Sequence, residues 1–201
     1  MDLSFTEDQE LIKNSVEKFI SDNYASEKRR KIIAESKGFD EKIWKSFSEL
    51  GWLALPFPVK YGGFGGGLID LMILMKAFGR ALVVEPYIST IVMSGNILAF
   101  CPESDLRNNI LSSIISGNSK VSFAFAELGS RFNPHDVTTS AKKSSSGWEV
   151  NGHKTVVFGG GQADYILLSA RTSGDRLDKS GISIFCIDAK DRNLEFQDYP
   201  T

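Results

Sequence analysis

Residue types that build metal centres and disulfide frameworks are scarce in this sequence. Its 201 residues include two cysteines, Cys101 and Cys186, and two histidines, His135 and His153. The cysteines lie far apart and form no CxxC pair, which a structural zinc site would need. We therefore predict no metal site. His135 also has no serine or cysteine beside it in a nucleophile motif, which favours a surface-loop histidine over a catalytic base.

An excess of one charge is missing as well. The chain carries 23 Lys and Arg against 25 Asp and Glu, so no basic face for nucleic acid or a membrane is predicted. The N-terminal sequence MDLSFTEDQE is acidic and lacks the apolar core of a secretory signal, so we expect a cytoplasmic protein with reduced thiols. Residues 68–100 are the most apolar stretch, but charged residues interrupt it before the ~18 residues that indicate a membrane span.

The first 118 residues have the apolar spacing of helices. Thr6 and Gln9 form a capping-box pattern that predicts a helix start. Asp40 is placed to cap a second helix that ends before Gly51. Three further helices are predicted over residues 68–82, 87–100 and 103–116. Those over 68–82 and 87–100 are apolar on more than one face, so they need a partner on their second side.

After residue 118 the apolar period falls to two, which is typical of strands. Turn-forming pairs separate the apolar runs, and no helical pattern intervenes. We therefore predict an α+β chain, with an all-α helical domain over residues 1–118 and an antiparallel β-barrel domain over residues 119–201. The second domain is expected to be incomplete at its C-terminal edge. Strands are predicted over residues 121–126, 148–150, 154–158, 165–168 and 182–187.

Three segments that contain or precede glycines are candidates for ligand binding. Residues 61–67 (YGGFGGG) match neither GxxxxGK[ST] nor GxGxxG, which favours a tight link between helices over a phosphate-binding loop. Residues 127–130 (ELGS) close a predicted strand, and amides in such a turn can hold a ring carbonyl or an oxyanion. Residues 154–158 lead into three glycines, where a flat ligand can approach the backbone closely. A plain strand-end turn and a barrel corner remain the alternatives for the last two.

Six motifs that follow one another along the chain carry a family resemblance. They are FTEDQ (5–9), ELGW (49–52), PVKYGGF (58–64), AELGS (126–130), GWEVNGHK (147–154) and ADYILLSA (163–170). Together they resemble the N-terminal half of the acyl-CoA dehydrogenases. Within that family the segments LPFP (55–58), GGG (65–67), GRALVVEP (79–86) and DYPT (198–201) look most like the small subunit of pimeloyl-CoA dehydrogenase.

The resemblance implies a fold and a reaction. Family members consist of an N-terminal helical domain, a middle β-domain and a C-terminal four-helix domain, and we expect these 201 residues to contain the first two only. They are oxidoreductases of fatty acid metabolism that convert an acyl-CoA to a 2,3-enoyl-CoA and transfer a hydride to N5 of FAD. Their catalytic base is a glutamate of the C-terminal domain, so no catalytic residue is assigned here and the chain alone is expected to be inactive. The implied partners are acyl-CoA, a homologous subunit in a homo- or hetero-oligomer, and an electron-acceptor flavoprotein.

The resemblance also implies which residues contact the flavin. Matched by position to the two flavin-contacting segments of the family, they are Phe123, Phe125, Ala126, Glu127, Gly129, Ser130, Val156, Val157 and Phe158. Contacts there are made largely by backbone amides, which do not depend on the side chain.

Three of these positions, and Leu128 between them, differ from the usual family pattern. Ala126 and Phe158 stand where members have threonine hydroxyls, Leu128 replaces a proline, and Val156 replaces a tryptophan that covers the flavin. The missing hydroxyls leave a second interpretation open, in which the chain is a non-catalytic partner subunit of a heteromeric acyl-CoA dehydrogenase. A flavin monooxygenase on the same fold is a third interpretation, and no residue favours it.

Overall fold

The protein folds into two compact units. The structure, a computed structural model, describes residues 4–35, 38–131, 133–145 and 147–199. One unit contains residues 1–87 and 96–118 and is helical, and the other contains residues 88–95 and 119–201 and holds the sheet. This is the expected α+β arrangement. The domain division at residue 118 stays a prediction, and the sheet unit additionally includes residues 88–95.

Local side-chain caps begin the first helices as predicted. The Thr6 hydroxyl accepts a hydrogen bond from the Gln9 amide at 3.3 Å, and the Gln9 side chain accepts one from the Thr6 amide at 3.1 Å. Asp40 accepts from the Lys42 amide at 2.7 Å. The helices of this unit are α1 (Glu7–Asn23), α2 (Ser26–Glu35), α3 (Glu41–Glu49), α4 (Leu68–Ala81), α5 (Asn96–Phe100) and α6 (Asp105–Ile115), with a 3-10 turn at Val59–Tyr61.

Three helical details differ from the predictions. Helix α2 was not predicted, because its sequence is polar. Among its described side chains Ile32 is buried, which is too little for an apolar helical pattern. The predicted helix over residues 87–100 is instead a π-helix, Ile88–Gly95, followed by the short α5. Helix α6 begins at residue 105, because the Ser104 hydroxyl caps it by accepting from the Arg107 amide at 3.2 Å.

Aromatic side chains form the core of the helical unit. Phe47 and Phe78 stack with their ring centroids 4.9 Å apart, and Trp52 meets Phe47 at 5.2 Å. Beside this core, a β-carbon at Gly63 would lie 1.9 Å from the carbonyl oxygen of Phe57. Such close packing of the backbone favours the interpretation of residues 61–67 as a tight link.

The sheet unit contains five strands around a central β4. They are β1 (Val121–Ala124), β2 (Ser140–Ser144), β3 (Gly147–Asn151), β4 (Tyr165–Arg171) and β5 (Ile182–Asp188). β4 is parallel to β1 along its first half and to β2 at the single pair Ser140–Arg171, and it is antiparallel to β5 along its whole length. β2 and β3 form an antiparallel hairpin.

The predicted antiparallel barrel is therefore wrong, since the sheet is mixed and does not close. Irregular connections over residues 125–139 and 152–164 carry the chain back, so that β1, β2 and β4 run in the same direction. The predicted strand over residues 154–158 is a loop, because Val156 takes a left-handed conformation with φ +53°. The expected incomplete edge near Thr201 falls outside the described residues.

The π-helix packs on the sheet as part of the same unit. The Thr90 hydroxyl accepts a hydrogen bond from the Val121 amide of β1 at 3.2 Å. A β-carbon at Gly159 would lie 2.9 Å from the Ser89 hydroxyl oxygen. Small and aliphatic side chains form a core of the sheet unit, namely Ala124, Ala141, Ile166, Leu168 and Ala170. Among the described residues, no helix combines the length and the apolarity that crossing a membrane requires.

Candidate functional site

The two segments predicted to contact a flavin lie side by side in the sheet unit. We call residues 126–130 the turn segment and residues 154–158 the loop segment. The Thr155 amide of the loop segment donates a hydrogen bond to the Ala126 carbonyl of the turn segment at 2.8 Å. The fold therefore brings together two stretches that are more than twenty residues apart in the sequence.

The turn segment is held by its own backbone and by one serine. The Ser130 amide donates to the Glu127 carbonyl at 3.1 Å, and the Ser130 hydroxyl donates to the same carbonyl at 2.9 Å. Gly129 has φ +87°, and a β-carbon there would meet no atom within 4 Å. Within the part of the chain that the structure describes, the amides of Leu128 and Gly129 donate to no protein acceptor. They are therefore available as donors to a ligand.

The loop segment presents a second set of amides. Over the described residues, the amides of Val156, Val157 and Phe158 likewise donate to no protein acceptor. Val157 packs against the sheet core and fixes the segment, while Val156 and Phe158 are 57% and 60% exposed. An exposed valine in the left-handed region is a strained arrangement, and such strain occurs often at ligand sites.

Aromatic and aliphatic side chains flank these amides. Phe123 and Phe125 stack with ring centroids 5.4 Å apart and are half-buried, whereas Ala126 is buried. Leu128 at the tip of the turn segment is 88% exposed. Apolar surface beside a few fixed donors is the usual composition of a site for a flat heteroaromatic ring with carbonyl acceptors on its edge. The residues present therefore fit the isoalloxazine ring of a flavin.

Glu127 is predicted as a flavin contact, but its carboxylate accepts hydrogen bonds from other residues of the protein. Its carboxylate accepts hydrogen bonds from Lys154 Nζ at 2.7 Å, from the Thr138 amide at 2.7 Å and from the Thr139 amide at 3.0 Å. It also accepts one from the Thr138 hydroxyl. Lys154 Nζ donates in turn to the Ser169 hydroxyl of β4 at 3.1 Å. We call this network of five residues the clasp.

Burial and hydrogen bonding set the charge states in the clasp. Burial raises the pKa of Glu127, but the donors from Lys154, Thr138 and Thr139 outweigh it and lower that pKa to about 2. The pKa of Lys154 is lowered by burial, which exceeds the opposite effect of the neighbouring carboxylate. Glu127 is therefore ionised at neutral pH and serves as a structural anion.

Sequence reasoning assigned no role to Lys154, Thr138, Thr139 or Ser169. The signal available for Lys154 was its place in the sequence, because this lysine stands at the start of an apolar run and not within a polar segment. Threonine and serine carried no comparable signal, because their role depends on which strand lies beside them.

Comparison with known proteins places this geometry in a family. Residues 6–118 match the family model for the acyl-CoA dehydrogenase N-terminal domain, and residues 122–201 match that for the acyl-CoA dehydrogenase middle domain. The chain belongs to the acyl-CoA dehydrogenase family. This is a family of FAD-dependent oxidoreductases that act on CH–CH donors.

Individual relatives are distant in sequence. The chain is 29% identical over 197 residues to the acyl-CoA dehydrogenase FadE12 of Mycobacterium tuberculosis, covering 92% of this chain and 48% of that protein. It is 26% identical over 197 residues to a 3-(aryl)acrylate reductase of Clostridium sporogenes, covering 96% of this chain and 51% of that protein. The chain thus spans about half the length of the curated relatives that it matches.

Solved structures agree with the fold. A chain in the ChsE4–ChsE5 complex from Mycobacterium tuberculosis superposes with a TM-score of 0.81 at 25% identity, covering 96% of this chain and 50% of that one. The FAD complex of PigA superposes with a TM-score of 0.80 at 21% identity, covering 94% and 49% of the two chains. The second likeness concerns the fold alone.

Proposed function

We propose that this chain provides the helical and middle-domain parts of an FAD-dependent acyl-CoA dehydrogenase. The observation that carries the proposal is the pairing of the turn and loop segments, which places unpaired amides beside exposed apolar side chains. When bound, FAD supplies the acceptor for the hydride that leaves the β-carbon of an acyl-CoA. The α-proton passes to a base, and the products are a 2,3-enoyl-CoA and reduced FAD.

The chain's own residues would bind and orient the flavin ring. The unpaired amides of Leu128 and Gly129 and those of Val156 to Phe158 would donate to its polar atoms. The exposed apolar side chains of Val156 and Phe158 would supply apolar surface beside it. Ala126 and Ser130 keep the turn segment in place by packing and by hydrogen bonds, and we assign no catalytic base among the described residues.

A non-catalytic partner subunit is the second candidate function. It is favoured by Ala126 and Phe158, which supply no hydroxyl at positions where family members have one, and Phe158 carries an apolar ring that is 60% exposed. In this alternative a homologous subunit performs the chemistry. The likeness to a chain of the ChsE4–ChsE5 complex supports assembly with a second subunit, whichever of the two candidates holds.

The two candidates are separated by flavin content and flavin reduction. The full-length protein, purified with any subunit that accompanies it, is expected to release FAD on denaturation and to reduce a dye when acyl-CoA thioesters are added, pimeloyl-CoA among them. We expect a cytoplasmic protein whose reduced flavin is reoxidised by an electron-acceptor flavoprotein. FAD held only by the accompanying subunit favours the partner role, and the absence of both flavin and dye reduction contradicts the proposal.

A pair of matched glycine variants tests the site itself. Gly129 and Gly65 both have positive φ, and a β-carbon at either one would meet nothing within 4 Å, so alanine is strained to a similar degree at both. Gly129→Ala is expected to weaken FAD binding about tenfold, the scale of one lost hydrogen bond, because the methyl group obstructs the exposed amides. Gly65→Ala lies in the helical unit and is expected to leave FAD binding unchanged, as measured by flavin fluorescence titration. Equal effects of both variants would contradict this site.

A further inference from the structure

The clasp connects four parts of the sheet unit through one buried ion pair. Glu127 belongs to the turn segment, and Lys154 begins the loop segment. The side chains are 3% and 9% exposed, so water screens their attraction little. Thr138 and Thr139 attach the segment before β2, and Ser169 attaches β4.

Protein groups fully occupy the Glu127 carboxylate and take two of the three ammonium donors of Lys154, so the pair serves to join parts of the protein. Each carboxylate oxygen of Glu127 accepts two hydrogen bonds, and Lys154 Nζ donates to Glu127 and to Ser169. An isolated buried pair contributes little net stability, because the cost of desolvating two charges offsets their attraction. In some proteins the role of such a pair is instead to fix the positions of the segments that carry it.

The backbone contact between the two segments is slight in comparison. The Thr155 amide and the Ala126 carbonyl form one hydrogen bond, and the loop segment pairs with no strand. Val156 departs from extended geometry immediately after that bond. The clasp therefore supplies the main polar attachment that sets the spacing between the two groups of unpaired amides.

We propose that Glu127 and Lys154 are positioning residues that hold the turn and loop segments at the spacing required to grip one flavin ring from two sides. The identity of the ligand in this inference rests on the proposed function, whereas the geometry of the two segments does not. Groups that engage one rigid ring together lose hydrogen bonds to it when either group is displaced, at a cost of about tenfold in affinity for each bond lost.

The test compares variants of the full-length protein in which the Glu127–Lys154 pair is broken with a control variant in which that pair is intact. Lys154→Met keeps the stem and removes the charge, Glu127→Gln keeps the shape, and the double variant removes both charges. Arg176→Met is the control, because it breaks the Arg176–Asp136 pair of the same unit, and the hydrogen bonds of the Arg176 side chain go to Asp136 and to neither segment. All are measured at a temperature where circular dichroism finds them folded. Should Lys154→Met fail to fold, Glu127→Gln retains the shape of the side chain and carries the test.

FAD titration gives the first readout. Each single variant is expected to bind FAD 10- to 100-fold more weakly, and the double variant no more weakly than the worse single variant, since the pair acts as a unit. Arg176→Met is expected to bind FAD as the unaltered chain does. Additive losses in the double variant, or an equal loss in Arg176→Met, would overturn the proposal.

Amide hydrogen exchange measured by NMR gives a readout that needs no flavin. In Lys154→Met the Thr155 amide is expected to exchange at least tenfold faster, while the amides of β4 that pair with β1 keep their protection. If the unaltered chain binds no FAD, the proposed function fails but this measurement still decides the positioning role. An unchanged Thr155 exchange rate in the variant would overturn the inference whether or not FAD binds.

Discussion

Two buried glutamates in this chain have opposite electrostatic surroundings. Glu127 is paired with Lys154, and its pKa falls to about 2. Glu85 in the helical unit accepts hydrogen bonds from the Tyr24 hydroxyl at 2.8 Å and from the Asp40 amide at 3.3 Å. Burial nevertheless raises the pKa of Glu85 above its ordinary value of 4.5, since these neutral donors do not compensate for lost water.

The raised pKa of Glu85 predicts how stability changes with pH. The folded chain binds this proton more tightly than the unfolded chain, so the contribution of Glu85 to stability is greatest below about pH 4.5 and declines as pH rises through its folded pKa. Glu85→Gln removes that titration and is expected to show a flatter melting temperature between pH 4 and pH 7. Glu17→Gln on the exposed face of α1 is the control. Parallel pH profiles for Glu85→Gln and the unaltered chain would contradict the assignment.

The contacts of single residues also explain why the loop conformation of residues 154–158 was not predicted from the sequence. Alternating apolar residues predicted a strand over residues 154–158, yet Val156 has φ +53°. The residues near it in the segment have contacts with distant parts of the chain, since Lys154 is bonded to Glu127 and Val157 packs against the core. Local patterns contain no information on either contact. The position of the turn segment, in contrast, followed from Gly129 and Ser130, whose roles are local.

At the scale of elements, helices with local start signals were predicted well and pairing of strands was not. The caps Thr6 and Asp40 act within three residues, so the sequence contains them in full. The positions of β1, β4 and β5 were also predicted from their apolar residues. Their directions depend on the routes of residues 125–139 and 152–164, which no short pattern encodes, and the predicted barrel was wrong for that reason.

Two glycines of the helical unit give a contrast that tests the tight link before α4. A β-carbon at Gly63 would lie 1.9 Å from the Phe57 carbonyl oxygen, whereas one at Gly79 within α4 would meet nothing within 4 Å. Gly63→Ala is expected to destabilise the protein by about 3 kcal/mol through backbone displacement. Gly79→Ala is expected to stabilise it by about 1 kcal/mol, because alanine favours the helix. Urea denaturation measures both, and a similar effect of the two variants would contradict the packing described for Gly63.

At the scale of the whole molecule, each unit leaves large apolar side chains in contact with solvent. Leu68 and Phe100 of the helical unit are 85% and 89% exposed, and Leu128 of the sheet unit is 88% exposed. The sequence predicts an uncovered apolar face on the helices over residues 68–82 and 87–100. Leu68 and Ile69 begin the first of these helices and are exposed, whereas residues 88–95 of the second pack against β1. Adjacent exposed apolar residues, as at the start of α4, are typical of a surface that another surface covers.

The 201-residue chain expressed by itself is therefore expected to bind a hydrophobic dye or to aggregate. Fluorescence of the dye and light scattering measure the two outcomes. Replacing Leu68 and Ile69 by serine is expected to reduce dye binding, and Leu106→Ser on α6 serves as a control of a single exposed leucine. A monodisperse chain that melts cooperatively and binds no dye would show that the exposed residues need no cover.

The π-helix Ile88–Gly95 has a consequence for how this fold can be divided. Its neighbours in sequence belong to the helical unit, while its own side chains complete the sheet unit at β1 and Gly159. The segments of the two units therefore alternate along the chain, and no single breakpoint separates the units. A recombination event at residue 118 would transfer a sheet without the eight residues that pack against its first strand, β1. An exchange of the sheet unit between relatives therefore has to include residues 88–95 together with residues 119–201, for a reason that lies in chain connectivity and not in catalysis.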